Sequence, residues 1–218
     1  MKHPTTRDLP VEIPSTTLLF IDVQNFCAAR DGGEFKAMKA ADFEAKHGYF
    51  FKQLEGGVLA NMQRLQAGCR QAGIEVMYTV IRNLTRDGRD RSLDYKITGF
   101  NVPPDSRDGQ VIDAIKPAAD EIVIPKTSSS VFISTNIDYV LRNLGTRYLI
   151  IAGVLTDQCV DSSVRDACDL GYLVTVPTDA CATLTPERHE WSLKNNRGYC
   201  RQILTRDLIA EIGRLTGR

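Results

Sequence analysis

The stretch Thr17-Leu18-Leu19-Phe20-Ile21-Asp22 decides the fold. Its apolar residues run on without polar alternation and stop at an acid. A strand with one wet face alternates, whereas a strand covered on both faces need not. Such strands belong to parallel sheets with helices on each side. Working outward, Ile74-Glu-Val-Met-Tyr-Thr-Val-Ile81 is β-branched and apolar and predicts a second strand. Glu121-Ile-Val-Ile-Pro125 predicts a third, stopped by Pro125 and followed at once by Lys126. Arg147–Val154, Tyr172–Val176 and Cys200–Leu204 predict a fourth, a fifth and a short sixth.

Helical periods fill the gaps. From about 48 to 72, Phe51, Leu54, Val58, Met62, Leu65, Cys69 and Ala72 recur in steps of three and four, one face of a long helix ended by Gly73. Further helices are predicted over 134–145, 156–170, 185–197 and 205–215. Residues 27–47 show no clear period, and Gly32-Gly33 marks a loop there. Residues 83–108 hold many charges, two adjacent prolines and several glycines, the make-up of a long irregular binding loop. Alternating strands and helices predict one α/β domain over 16–218, an open parallel sheet covered on both faces. An irregular arm, 1–15, precedes it; Pro4, Pro10 and Pro14 block regular structure, and its reach extends to a neighbouring subunit.

The 218 residues carry 27 basic and 27 acidic side chains, with 43% hydrophobic residues. Zero net charge argues against a nucleic-acid surface. No apolar run approaches the roughly 20 residues that span a bilayer, and the polar, proline-broken N-terminus lacks a signal peptide's apolar segment. A soluble, cytoplasmic protein with no membrane or nucleic-acid partner is the expectation. Six cysteines occur without a CxxC pair and with only three histidines, which disfavours both a disulfide framework and a zinc site.

Ligands of open parallel sheets bind beyond the carboxyl ends of the strands. Asp22, Lys126 and Cys159 sit where the first, third and fourth strands stop. Singly, each has a plain reading: a turn acceptor, a lysine snorkelling to solvent, a buried thiol. Together they supply base, cation and nucleophile. Cys159 falls in the opening turn of a predicted helix, where unpaired N–H groups favour an anion, so its thiol is expected below the usual value of about 8.5.

These residues lie in three motifs. Leu18-Leu-Phe-Ile-Asp-Val-Gln-Asn-Phe26, Pro125-Lys-Thr-Ser-Ser-Ser-Val-Phe132 and Gly153-Val-Leu-Thr-Asp-Gln-Cys-Val160 come in that order. The sequence resembles the isochorismatase-like cysteine hydrolases, and the N-carbamoylsarcosine, ureidoacrylate and biuret amidohydrolase branch in particular. The resemblance covers roughly residues 16–205. It implies a Rossmann-like, three-layer α/β/α fold with a six-stranded parallel sheet in the order 3-2-1-4-5-6. It also implies a catalytic triad of Asp22, Lys126 and Cys159, an oxyanion hole from the Leu155 and Cys159 N–H groups, and a non-proline cis peptide at Val154–Leu155. Nicotinamidases of this family carry a metal site with two histidines after the second strand, and no histidine lies between Ile81 and Lys126. Neither metal nor other cofactor is therefore expected.

The implied activity is hydrolysis of a small amide, N-carbamoyl or ureide C–N bond through a thioester. Two alternatives stand beside it: vinyl-ether hydrolysis without a nucleophilic thiol, and a redox-sensing thiol protein. Asn25, Phe26, Tyr95, Lys96 and Phe132 are the candidate substrate contacts. The basic run Arg82, Arg86, Arg89, Arg91 and Lys96 points to a carboxylate-bearing substrate gripped by an arginine. Family members are commonly dimers or tetramers, so a homo-oligomer is expected.

Overall fold

In the computed structural model, which describes residues 6–217, the deciding stretch forms β1 (Thr16–Ile21), and all six of its residues are buried. β2 (Glu75–Ile81), β3 (Ile122–Lys126), β4 (Tyr148–Val154), β5 (Leu173–Pro177), β6 (Cys181–Ala182) and β7 (Arg201–Ile203) follow. Every pairing is parallel, in the order β3-β2-β1-β4-β5-β7, with β6 beside β4. The expected order thus holds, with the sixth predicted strand as β7. The two-residue β6 is additional, too short to leave a periodic signal.

Alternate residues of the strands serve two cores. Leu18, Phe20, Tyr78, Ile150 and Ala152 face one layer, and Leu19, Ile21, Met77, Leu149 and Ile151 face the other. This double burial is why β1 lacks polar alternation. The first layer holds α2 (Ala40–Gln53), α3 (Leu59–Gln71) and α9 (Thr205–Leu215). The second holds α5 (Val131–Ser134), α6 (Ile137–Asn143) and α7 (Asp161–Asp169). α1 (Asn25–Ala28), α4 (Leu93–Thr98) and α8 (Pro186–Asn196) complete the set.

Three elements depart from expectation. The helix expected over 48–72 begins at Ala40 and is split by a wide turn, Leu54–Val58, where Gly57 leaves helical geometry. The irregular stretch 83–108 contains α4, capped by the Ser92 hydroxyl, which accepts from Tyr95 N–H. The arm over residues 6–15, expected to be irregular, ends in a 3₁₀ turn at Ile13–Ser15 and lies against its own domain. Val11 N–H donates to Glu211 Oε1 (3.0 Å), and Arg201 Nη1 donates to Leu9 O (3.2 Å). The first five residues of the predicted arm lie outside the described residues. Among the described residues, no helix is long and apolar enough to cross a membrane.

Candidate active site

Two adjacent strands end together because a glycine lets them. Gly153 has φ +133°, and a Cβ there would fall 2.2 Å from Ile21 O. Only a residue without a side chain allows this approach. It brings the end of β4 against the end of β1, where Ile21 pairs with Gly153. The next peptide, Val154–Leu155, is cis. Asp22, at φ 55°, turns the chain off β1. Its N–H donates to Thr79 O (3.1 Å), and Thr79 Oγ1 donates to Asp22 Oδ1 (2.8 Å). Asp22 Oδ2 lies 2.8 Å from Lys126 Nζ but receives no well-directed hydrogen bond, so a lone pair is left for a proton.

Lys126 is the last residue of β3, and its side chain is buried. Nζ donates to Ser128 O (2.8 Å), Tyr95 Oη (3.0 Å) and Cys159 Sγ (3.4 Å). Burial works against its charge, but the Asp22 carboxylate beside it outweighs burial and holds the ammonium well above the usual lysine range. A buried charge without a partner is costly, so the pairing with Asp22 is what allows the ammonium to stay charged there. The structure thus gathers all three strand-end residues at one point.

The electrostatics of Cys159 correct the expected low pKa. Burial pushes the thiol up to about 12; Lys126 lowers it, while the Asp22 carboxylate raises it further. The lysine's charge is already engaged by a carboxylate nearer than the sulfur. Nor does a regular helix begin here. Thr156–Val160 is a wide turn, and α7 starts only at Asp161. The resting sulfur is therefore a neutral thiol.

Asp22 and Cys159 border a cavity of about 100 Å³. Its floor is strand-end material: Asp22, Ile81, Val154, Leu155, Gln158 and Cys159. Its wall comes from 27–50, with Cys27, Glu34, Phe35, His47 and Phe50, and is closed by Phe100 and Leu184. The candidate substrate contacts lie elsewhere. Asn25 Nδ2 donates to Arg107 O (3.1 Å) and Gln110 O (3.2 Å), bracing a loop. Phe26 packs edge-on against Phe100, with centroids 5.2 Å apart, behind the lining. Tyr95 reaches Lys126 rather than the cavity; Lys96, the next residue on α4, is exposed. Phe132 packs beside Tyr172 in the other core.

The basic run also turns away. Arg86 pairs with Asp105 (3.1 Å), Arg89 with Asp87 (3.0 Å), and Arg91 donates to Phe100 O (2.7 Å). Among the described residues, neither Lys nor Arg lines the cavity, so the structure does not provide the arginine grip expected for a carboxylate. The residues missed from sequence, Glu34, Phe35, His47 and Phe50, lie in or next to the stretch without period; Gly32-Gly33 was the one visible signal there. Among the described residues, no three His, Cys, Asp or Glu side chains gather as a metal site.

Comparison with known proteins adds lineage to this geometry. The family profile described as Isochorismatase domain matches residues 16–207. Ureidoacrylate amidohydrolase RutB of Rhizobium rhizogenes is 31% identical over 147 residues, 60% of this chain and 60% of that protein. N-carbamoylsarcosine amidase of an Arthrobacter species is 32% identical over 141 residues, 62% of this chain and 53% of that protein. The crystal structure of a cysteine hydrolase from Pseudomonas syringae pv. phaseolicola shares the fold. It gives a TM-score of 0.78 at 20% identity and covers 99% of this chain and 100% of that one.

Proposed function

This chain belongs to the isochorismatase family, and we propose from that premise that it is a cysteine-dependent amidohydrolase cleaving a C–N bond of a small amide or ureide. One observation carries the reading: a buried ammonium 2.8 Å from a carboxylate and 3.4 Å from a thiol, with carboxylate and thiol opening on one cavity. The relatives named as amidohydrolase and amidase support it.

Because the resting thiol is neutral, its proton leaves as the sulfur attacks. Asp22 accepts that proton while the S–C bond forms at the substrate carbonyl. Lys126 holds the carboxylate and offsets the charge passing through the sulfur. In this reading the Leu155 and Cys159 N–H groups receive the tetrahedral oxyanion; losing one such donor typically costs about 2.7–4 kcal/mol. Asp22 then gives its proton to the nitrogen, the C–N bond breaks, and a thioester stays on Cys159. Water attacks next, with Asp22 taking its proton. The C–S bond breaks, Asp22 returns the proton to sulfur, and the acid leaves.

The test is mass spectrometry of the protein during turnover on a panel of primary amides, N-carbamoyl amino acids and ureides, with ammonia release as the activity. An acyl adduct on Cys159, absent from Cys159→Ala, is the expected result. Ammonia release by Cys159→Ala at the wild-type rate overturns covalent catalysis.

A further inference from the structure

The floor of the cavity is accounted for by the proposed chemistry; its wall is not. Glu34, half-buried, lines that wall, and among the described residues no side chain pairs or hydrogen-bonds with its carboxyl. Its placement is built. Glu34 N–H donates to Phe26 O (3.3 Å), and the neighbouring Phe35 is clamped edge-on between Phe43 and Phe51. The two preceding glycines pack where no side chain fits: a Cβ on Gly32 would lie 2.1 Å from Asn25 O, and one on Gly33 2.3 Å from Asp108 Oδ2. The nearby Lys36 turns outward to Asp108 (3.3 Å). These contacts hold the backbone of Glu34 at the cavity edge; its half-buried carboxyl keeps access to water, and a bound N–H donor that displaces that water would supply the hydrogen bonds it loses.

We propose that Glu34 sets substrate specificity by receiving an N–H-donating group, a ureido, carboxamide or ammonium nitrogen, and by rejecting a carboxylate at that end of the substrate. This rests on the amidohydrolase reading and narrows its substrate class. Burial pushes the Glu34 carboxyl up to about 7, so a negative charge is already disfavoured at this place. The wall therefore opposes the carboxylate that the word ureidoacrylate implies for the relative of that name. Among the described residues neither Lys nor Arg lines the cavity to receive one, and Lys126 lies behind the lining in its pair with Asp22.

A matched pair tests this: N-carbamoylglycinamide and N-carbamoylglycine, which differ in carboxamide against carboxylate. Ammonia release gives kcat/KM for wild type, Glu34→Gln and Glu34→Asp. Calorimetry gives Kd with Cys159→Ala, alone and combined with Glu34→Gln. Wild type is expected to favour the amide by about thirtyfold or more. Glu34→Gln is expected to shrink that ratio below about threefold, chiefly by improving the carboxylate, while Glu34→Asp retains the preference. The proposal falls if wild type prefers the carboxylate, if Glu34→Gln leaves the ratio unchanged, or if neither compound binds Cys159→Ala. Selective binding through Glu34 without ammonia release keeps the specificity and rejects the amidohydrolase. Ammonia release with an unaltered ratio does the reverse.

Discussion

The floor and the wall of one cavity each carry a carboxyl group, and the two live under different physics. Asp22 on the floor is 1% exposed, lies 2.8 Å from an ammonium and accepts from Thr79. Glu34 on the wall is half-buried, and burial pushes it up to about 7. The floor is made by strand ends whose positions the sheet register sets. The wall is made by a loop and a helix held through Phe35, Phe43 and Phe51. In the proposed reading, reaction belongs to the region where carboxylate and ammonium pair, and selection to the region where a carboxyl lines the cavity without such a pair among the described residues.

The sharpest break of that contrast is Cys159→Ala. Ammonia release is expected to fall by at least about 10⁴-fold, since the nucleophile acts as a unit with its partners. Its thermal midpoint should stay within a few degrees of wild type. Full activity would remove the chemistry from the floor altogether.

Lys126→Met comes next. It leaves the Asp22 carboxylate buried without its cation, a loss of about 3–5 kcal/mol in urea unfolding at pH 8. A loss below about 1 kcal/mol would mean that the ion pair contributes little at this position.

The wall predicts the opposite sign from removing charge. The folded-state pKa of Glu34, about 7, lies above the ordinary value of 4.5, so the folded state binds more protons than the unfolded one between those values. Stability from this group is complete below about pH 4.5 and is lost as pH rises to about 7. Glu34→Gln should therefore be more stable than wild type at pH 8, by up to about 3 kcal/mol, and nearly equal to it at pH 4. Chemical denaturation at the two pH values reads this directly; a variant less stable at pH 8 would show that the carboxylate has a partner in the folded state.

Tyr95→Phe is the mildest test. It removes the hydroxyl that accepts from Lys126 at 3.0 Å, and about 1 kcal/mol of hydrogen bonding goes with it. A roughly threefold to tenfold fall in kcat with KM unchanged is expected, because the ring stays packed against Phe100 and does not line the cavity.

The sheet was legible because burial on two faces leaves its mark in consecutive residues. Leu18 to Ile21 and Leu149 to Ala152 are each buried by neighbours far away, yet the demand for apolar side chains falls on a continuous run. Asp22, Lys126 and Cys159 were legible for a related reason: each is the polar residue that ends or follows such a run. The wall left no such mark. Glu34 and Phe35 reach the cavity from a loop and His47 from the middle of α2, in a stretch whose sequence shows no clear period, and a carboxyl in a loop reads as ordinary surface. The five candidate contacts lay close to the right strand ends, but direction decided otherwise. Tyr95 points at Lys126, while Lys96, one residue on, points to solvent.

The sequence by itself determined the parallel α/β architecture and which three polar residues stand at its strand ends, because these follow from local runs and their interruption. Tertiary structure alone decided that burial pushes the Cys159 thiol up, that Arg86, Arg89 and Arg91 turn to other partners, and that the Glu34 carboxyl lines the cavity. Protonation and pairing depend on distances between residues far apart in the chain and on the exclusion of water around them, and neither quantity is written in any short stretch of residues.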